Sequence, residues 1–256
     1  ATVCATIIGG SAMMGRAGIA YTTGFMAIAT ALPYMLGMFI FSGYAGRIQQ
    51  VGEKYHIESI PSLFEYRFGK PAKCVLAAMV AFAMVGTVAA QVTATATIIK
   101  LLGGQVGISY EMGAFIATAI FIIYTAASGL FGVVYTDVVQ FFMLIIFVYL
   151  MIPFSSLDYL GGFGSFWASL DKSYITPAID GKILGDIVTY LVFTMAGAEM
   201  WQRAFAAKDK KSAKRGMFWG TAVYGVTIAL LFLMGLAAQQ ILPNVVEEIG
   251  LSLIHI

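Results

Sequence analysis

Charged residues are scarce in this sequence. Lysine, arginine, aspartate and glutamate make up only 11% of its 256 residues, whereas hydrophobic residues make up 60%. A soluble globular domain normally devotes about a quarter of its residues to charge. The shortage excludes an ordinary soluble enzyme or binding domain and predicts a chain that lies in a membrane.

Cysteine and histidine are rare as well. Cys4 and Cys74 lie in or beside apolar runs without metal-ligand spacing, and His56 and His255 have no second ligand nearby in the sequence. Neither a disulfide framework nor a transition-metal site is therefore predicted. The basic residues stand in short segments between apolar runs, without the aromatic-laced basic face typical of a nucleic-acid partner, so none is expected.

Short segments of alternating polarity, which are typical of a transmembrane β-barrel, are missing too. The apolar residues are gathered instead into runs of roughly 18 to 25, enough for a helix to cross about 30 Å of hydrocarbon. Only helices and closed barrels satisfy their backbone in lipid, so the predicted fold class is an all-α polytopic membrane protein. About seven spans are expected, at residues 1–20, 26–45, 74–101, 112–127, 131–154, 183–200 and 216–242.

The first span is unusual because Gly9, Gly10 and Ser11 follow one another in its middle. Small residues permit close helix packing, but three consecutive residues cannot share one packing face. They favour a break in the helix, which a membrane tolerates where the backbone lines a cavity or an ion site. Both explanations stay open on composition alone.

Lysines and arginines cluster in two segments, residues 46–73 and 201–215, which are predicted to be cytoplasmic loops. Four spans separate them, so they return to the same side of the membrane. Within the first loop, Ser59 as N-cap, Pro61 in the first turn and Gly69 as stop predict a short interfacial helix. The basic run of the second loop is either an orientation signal or a patch for anionic lipid.

The chain has no initiator methionine, opens in apolar sequence and stops abruptly at Leu251-Ser-Leu-Ile-His-Ile256. Residues 1–256 are therefore expected to form a single transmembrane domain that is incomplete at both ends.

Four stretches, taken in order, resemble the sodium:solute symporter family, whose members carry proline, pantothenate and sugars. They are the glycine-rich span from Ala5 to Gly24, Ile60-Pro-Ser-Leu-Phe-Glu-Tyr-Arg-Phe-Gly69, the Thr-Asp-x-x-Gln segment within Tyr124 to Gln140, and the Trp-Gln-Arg segment from Trp201 to Gly216. The resemblance implies a transporter with the leucine-transporter type of inverted repeat. The first five-helix repeat and two helices of the second would be present, and the sixth span would also break, at Thr194-Met-Ala-Gly-Ala198.

The resemblance also implies sodium ligands. Backbone carbonyls of Ala5 and Ile8 match the family's first-helix contribution, and the hydroxyl ligands that complete the site belong to a helix beyond Ile256. A carboxylate near the membrane is by default a functional candidate, and the resemblance implies that Asp137 lies on the inner sodium exit pathway. Capping of a helix start is the alternative for Asp137.

Solute contacts are expected at the two breaks. Arg16 either snorkels to the interface or attracts a substrate carboxylate. Gln91 either joins the site or makes an interhelical hydrogen bond, and Tyr190 would close the site from outside. The full set of predicted contacts is Ser11, Ala12, Arg16, Gln91, Tyr190, Phe193, Thr194 and Gly197.

The predicted function is sodium-coupled symport of a small organic solute, such as an amino acid, a carboxylate or a sugar, across the plasma (inner) membrane. Na⁺ is the coupling ion, and the partners are the solute and the lipid bilayer, while the oligomeric state is not readable. A transporter-like sensor module of a membrane signalling kinase and a proton-coupled carrier stay open as alternatives. An enzyme is not predicted, because no His-Glu-x-x-His motif or paired aspartates occur within the spans.

Overall fold

A computed structural model describes residues 8–171, 174 and 181–243. Regular structure in these residues is helical, which confirms the predicted all-α fold class. The helices are α1 (Gly10–Thr23), α2 (Ile28–Tyr55), α3 (Ile60–Phe68), α4 (Lys70–Gly103), α5 (Tyr110–Met143), α6 (Ile152–Tyr159), α7 (Phe163–Ser169), α8 (Gly181–Ala196), α9 (Ala198–Phe205) and α10 (Lys210–Ile241). Short 3₁₀ helices occupy Gly24–Ala27 and Gly104–Val106, and a π-helix occupies Leu144–Met151.

Six stretches within the described residues are long and apolar enough to cross a membrane. They are Ala12–Tyr55, Lys70–Val106, Tyr110–Ala127, Thr136–Tyr159, Ile183–Phe205 and Lys210–Ile241. The predicted multi-pass membrane protein is thereby confirmed. The count differs from the predicted seven because the 44-residue stretch Ala12–Tyr55 takes in both the second predicted span and the described part of the first.

The fourth and fifth predicted spans, 112–127 and 131–154, correspond to two apolar stretches, Tyr110–Ala127 and Thr136–Tyr159, but the described backbone between them is helical. The backbone of α5 stays helical from Tyr110 to Met143 and continues through the π-helix into α6. No proline interrupts α5, so every residue after its first turn can donate its amide to the preceding turn. The glycines in this segment lower helix propensity without removing a backbone hydrogen bond.

Both basic segments are more helical than predicted. In the first, α2 continues to Tyr55 and α4 begins at Lys70, so the loop 46–73 shrinks to short links on either side of α3. In the second, only Ala206 to Asp209 separate α9 from α10, so most of the predicted loop 201–215 is helix. Lysine, arginine, glutamine and glutamate favour helix, and water can satisfy the helix ends, so a span can extend past the apolar run.

The short helix predicted here is confirmed as α3, residues Ile60–Phe68, and its position at the membrane interface stays a prediction. The Ser59 hydroxyl accepts the Ser62 amide at 3.3 Å, Pro61 stands in the first turn, and Gly69 ends the helix with a positive φ of 85°. Glu65 and Lys73 form an ion pair at 2.5 Å, which ties α3 to the start of α4. Local capping chemistry thus accounts for both ends of this helix.

The chain divides into two compact units. The first comprises Ala1–Gly24, Gly86–Thr176 and Thr227–Ile256, and the second comprises Phe25–Val85 and Pro177–Val226. In the first unit, Gly235 of α10 approaches α1 so closely that an added Cβ would lie 2.7 Å from the Ala20 Cβ. At the end of α10, the Leu242 carbonyl accepts the Tyr21 hydroxyl at 2.5 Å, and Gln240 bonds to Ser169 and Phe166 near α7.

Helix α2 is the centre of the second unit. Its buried residues recur every three or four positions, as in Tyr34, Met38, Phe41 and Ala45, which places them on one face. That face packs on α8 and α9. Helices α8 and α9, which form the predicted sixth span, are therefore both supported by α2.

Candidate functional site

Of the first predicted break, at Gly9, Gly10 and Ser11, the structure describes the start of helix α1. Gly9 is extended, with φ −86° and ψ 175°, and Gly10 begins α1. Gly10 and Ser11, two of the three residues at the predicted break, are therefore already helical, and the break itself stays a prediction. The residues before Ile8 lie outside the described residues, and with them the predicted sodium ligand Ala5.

Gln91 of α4 lies against Gly9. A Cβ added at Gly9 would stand 2.8 Å from the Gln91 Oε1 and 2.9 Å from its Cδ, so the side-chain amide occupies the space that glycine leaves. Ile8, next in the chain, is buried with 5% exposure. The structure therefore brings together three predicted features of the first unit: Gly9, the Ile8 backbone and the Gln91 amide.

The other predicted residues of α1 are half-buried. Ala12 and Arg16 both have intermediate exposure, whereas the Ser11 side chain lies outside the described part of the chain. Arg16 falls one and a half turns into α1 and takes part in a polar or electrostatic interaction. Its two predicted roles, snorkelling and substrate attraction, both remain predictions.

Asp137 is buried within α5, with 5% exposure. It lies far from the first residue of that helix, Tyr110, so it does not cap a helix start. The capping alternative is therefore wrong. Burying a carboxylate in a membrane-length helix is costly, which leaves the functional interpretation as the stronger of the two.

The second interruption lies at Gly197, inside the apolar stretch Ile183–Phe205. Helix α8 ends at Ala196, Gly197 has φ −59° and ψ 115°, and α9 begins at Ala198. The break predicted at Thr194 to Ala198 is confirmed. With ψ at 115°, the carbonyl of Gly197 accepts the Met200 amide of α9 at 3.1 Å, so the hydrogen-bond ladder of α8 stops there.

Thr194 and Gly197 differ in their surroundings. Thr194 is 2% exposed, donates its hydroxyl to the Leu191 carbonyl at 2.9 Å, and faces Gly37 of α2. Gly197 is half-buried, and the Glu199 carboxylate folds back over it, with Oε1 2.9 Å from an added Cβ. Tyr190 is half-buried, whereas Phe193 is 56% exposed on the face of α8.

Two residues of this break were not predicted as functional. The Trp201 indole N–H donates to the Met195 carbonyl at 2.9 Å, across the interruption. The Glu199 Oε2 is buried and meets no hydrogen-bond donor within the described part of the chain. The available signals were a tryptophan four residues after a glycine break and an acidic residue inside a span, which is a functional candidate by default.

The short link Ala206 to Asp209 rests on the end of α2. Gln49, 3% exposed, donates to the Ala207 carbonyl at 3.4 Å and to Glu53 at 3.0 Å. At the other end of the link, Asp209 caps α10 by accepting the Ser212 amide at 2.7 Å. This hydrogen bond holds the pKa of the Asp209 carboxyl below its ordinary value.

Membership of a protein family follows from sequence comparison. Residues 1–252 match the sodium:solute symporter family. The chain belongs to that family. The predicted resemblance is thereby confirmed over almost the whole chain, and the family and the relatives below are transporters and not enzymes, as predicted.

Relatives of this family member carry different solutes. The sodium/pantothenate symporter of Haemophilus influenzae is 24% identical over 95% of this chain and 52% of its own length. The human high affinity choline transporter 1 is 24% identical over 98% of this chain and 42% of its own length. The sodium/glucose cotransporter of Vibrio parahaemolyticus is 26% identical over 76% of this chain and 39% of its own length.

This family member thus spans about half the length of the curated relatives that it matches. No solved structure matches it significantly. The predicted site residues divide between its two units: Ile8, Ser11, Ala12, Arg16, Gln91 and Asp137 belong to the first, and Tyr190, Phe193, Thr194 and Gly197 belong to the second.

Proposed function

We propose that this protein carries out sodium-coupled symport of a small organic solute across the plasma membrane. The observation that carries the proposal is the interruption at Gly197 within an apolar stretch of membrane length. In lipid, unpaired backbone groups are tolerated where protein or a water-filled cavity surrounds them. In a family of sodium:solute symporters, the natural use of such groups is to bind an ion and its solute.

Sodium suits the chemistry of the first interruption. It is a hard cation that prefers oxygen ligands, and an interrupted helix offers carbonyl oxygens without adding a charge to the membrane. We propose the carbonyls of Ala5 and Ile8 as its ligands. The buried carboxylate of Asp137 would attract the ion on the inner exit pathway.

Solute contacts are proposed at each interruption. Around Gly9 the candidates are Ser11, Ala12, Arg16 and Gln91, and the Gln91 amide offers a donor and an acceptor beside the interruption. Around Gly197 the candidates are Tyr190, Phe193, Thr194 and Gly197. The Thr194 hydroxyl already bonds within its own helix, so we assign it chiefly to packing and expect the backbone near Gly197 to contact the solute.

The membrane potential supplies part of the driving force. One sodium ion crossing 100 mV gains about 2.3 kcal/mol, which corresponds to about fifty-fold accumulation of a coupled solute. The basic ends of α2 and α9, with the links beside α3, are proposed to face the cytoplasm, because lysine and arginine are enriched there in membrane proteins. The family's inverted repeat is the proposed architecture of the whole carrier.

Uptake by the full-length protein in lipid vesicles tests the proposal. Labelled pantothenate, choline, glucose and proline form the first panel, each measured with an inward sodium gradient and with potassium in its place. We expect one or more solutes to accumulate only with sodium. Accumulation that depends on a proton gradient and not on sodium would show that protons are the coupling ion. A panel of carboxylates and amines would then be tested with a proton gradient.

A further inference from the structure

The break at Gly197 leaves backbone carbonyls without their usual partners. In an unbroken helix, the Met195 carbonyl would accept the amide of residue 199. The conformation of Gly197 removes that arrangement, and the Met195 carbonyl accepts the Trp201 indole N–H at 2.9 Å instead. A side chain from the second half-helix thus satisfies the last turn of the first half-helix.

The ring of Trp201 makes a second connection. Its edge meets the ring of Phe41 on α2, with centroids 5.9 Å apart, and Phe205 lies 6.0 Å away on α9. Phe41 is 3% exposed, so this contact is part of the packed interior of the second unit. One side chain therefore joins the end of α8, the start of α9 and the supporting helix α2.

We propose that Trp201 is a positioning residue that keeps this helix open at Gly197. We call the indole bond to Met195 together with the ring contact to Phe41 the Trp201 bridge. The bridge satisfies a carbonyl that the break leaves without an amide, so loss of the indole N–H would leave the two half-helices loosely held at the break. It also fixes where α9 leaves the break, because the ring cannot move without losing Phe41.

Glycine at 197 and tryptophan at 201 play complementary parts. Gly197 lets the chain leave the helical path without steric cost from a Cβ, which would meet the Glu199 carboxylate. Trp201 then holds the two segments in that geometry. The role of the bridge in transport rests on the proposed function, whereas its role in holding the break does not.

Hydrogen–deuterium exchange in the full-length protein in lipid nanodiscs tests the bridge directly. Trp201→Phe keeps an aromatic ring beside Phe41 and removes the N–H. We expect exchange of the amides at Met200 and Trp201, which bond to the Gly197 carbonyl, to become about three- to tenfold faster. The matched control is Trp219→Phe, a 65% exposed tryptophan on α10, which should leave exchange at the break unchanged.

Two results would overturn the proposal. One is unchanged exchange at the break in Trp201→Phe, and the other is faster exchange spread evenly over all helices, which indicates general destabilisation. If Trp201→Phe does not fold, Phe41→Leu takes its place. This variant keeps the indole N–H and loosens the ring. It should speed exchange at the break by less than the three- to tenfold factor expected for Trp201→Phe, while exchange elsewhere in α2 stays unchanged.

The sodium dependence of exchange at the break distinguishes a role in transport from a purely structural role, because loss of packing alone would not change it. Exchange at the break is measured over a range of sodium concentrations at constant ionic strength. We expect sodium to slow exchange in the wild type, and Trp201→Phe to need about threefold more sodium for half the effect. If Trp201→Phe speeds local exchange but neither protein responds to sodium, the bridge stands and the sodium-coupled function fails.

Discussion

Gly37 of α2 and Thr194 of α8 lie in direct contact, and no side chain fits between their backbones. A Cβ at Gly37 would meet the Thr194 hydroxyl and would stand 2.5 Å from the Leu191 carbonyl. Because backbone atoms of α8 form part of this contact, a larger residue at position 37 cannot be accommodated by a rotamer change alone. The last turns of α8 before the break therefore depend on a glycine in another helix.

Gly37→Ala is expected to destabilise the second unit. Overpacking of this kind costs about 1–3 kcal/mol, and α8 would have to shift away from α2. Thermal unfolding of the purified full-length protein in detergent measures the change. Gly43→Ala is the control on the same helix, since a Cβ there meets nothing within 4 Å, and equal destabilisation by both variants would contradict the predicted contact.

Gly9→Ala is expected to disturb the first break through Gln91. The added methyl group meets the Gln91 amide, which must move from its present position. A double-mutant cycle of unfolding free energies with Gln91→Ala should show a coupling of about 0.5–3 kcal/mol. Gly15→Ala, which adds a methyl group to open space on α1, should show no coupling with Gln91→Ala.

Asp137→Asn tests the proposed sodium pathway. Removing the buried negative charge should raise the sodium concentration for half-maximal uptake about tenfold, which is equivalent to 1.4 kcal/mol. Sodium-dependent uptake in vesicles is the measurement. Asp158→Asn, at an exposed position of α6, should leave the sodium dependence unchanged, and a normal sodium response in Asp137→Asn would remove this residue from the pathway.

Ser59→Ala is expected to loosen α3. The variant loses the hydroxyl that accepts the Ser62 amide, and loss of such a cap costs about 1 kcal/mol of helix stability. Hydrogen–deuterium exchange of residues 57–69 should become faster, with no change in α5. Ser59→Asp keeps an acceptor at the cap and should restore slow exchange.

Acidification is expected to weaken the start of α10 through Asp209. Its pKa in the folded protein lies below the ordinary value because the Ser212 amide stabilises the charged form. The contribution of the cap is therefore complete above the ordinary pKa of aspartate and is lost as the pH falls through the lower, folded value. Carbon-detected NMR of the Asp209 carboxyl should show this low pKa, and Ser212→Pro, which lacks the amide, should return it toward the ordinary value.

Much of this structure was predictable because local chemistry decides it. Capping by Ser59, the proline of the first turn and Gly69 set both ends of α3, and each acts on neighbours within one turn. The apolar runs predicted membrane-length helices because lipid leaves the backbone no other partner. The break at Gly197 was also found from local sequence, since a glycine there permits a non-helical backbone.

Predictions failed where local signals were balanced or incomplete. The spans 112–127 and 131–154 were predicted as separate helices, but the helical ladder of α5 continues from the first into the second. The basic segment 201–215 suggested a loop, yet its residues favour helix and Asp209 supplies a cap. Polarity marks where a chain leaves the hydrocarbon, which is a different property from where a helix ends.

The sequence by itself determined the all-α membrane class, the family, the interruption at Gly197 and the glycine before which no helix of α1 extends, Gly9. Only the tertiary structure decided what supports them: Gln91 beside Gly9, Gly37 beneath Thr194, and the Trp201 bridge across Gly197. The physical reason is distance along the chain. Helix propensity and capping act within a turn, whereas these contacts join residues of different helices and exist only once the helices have packed.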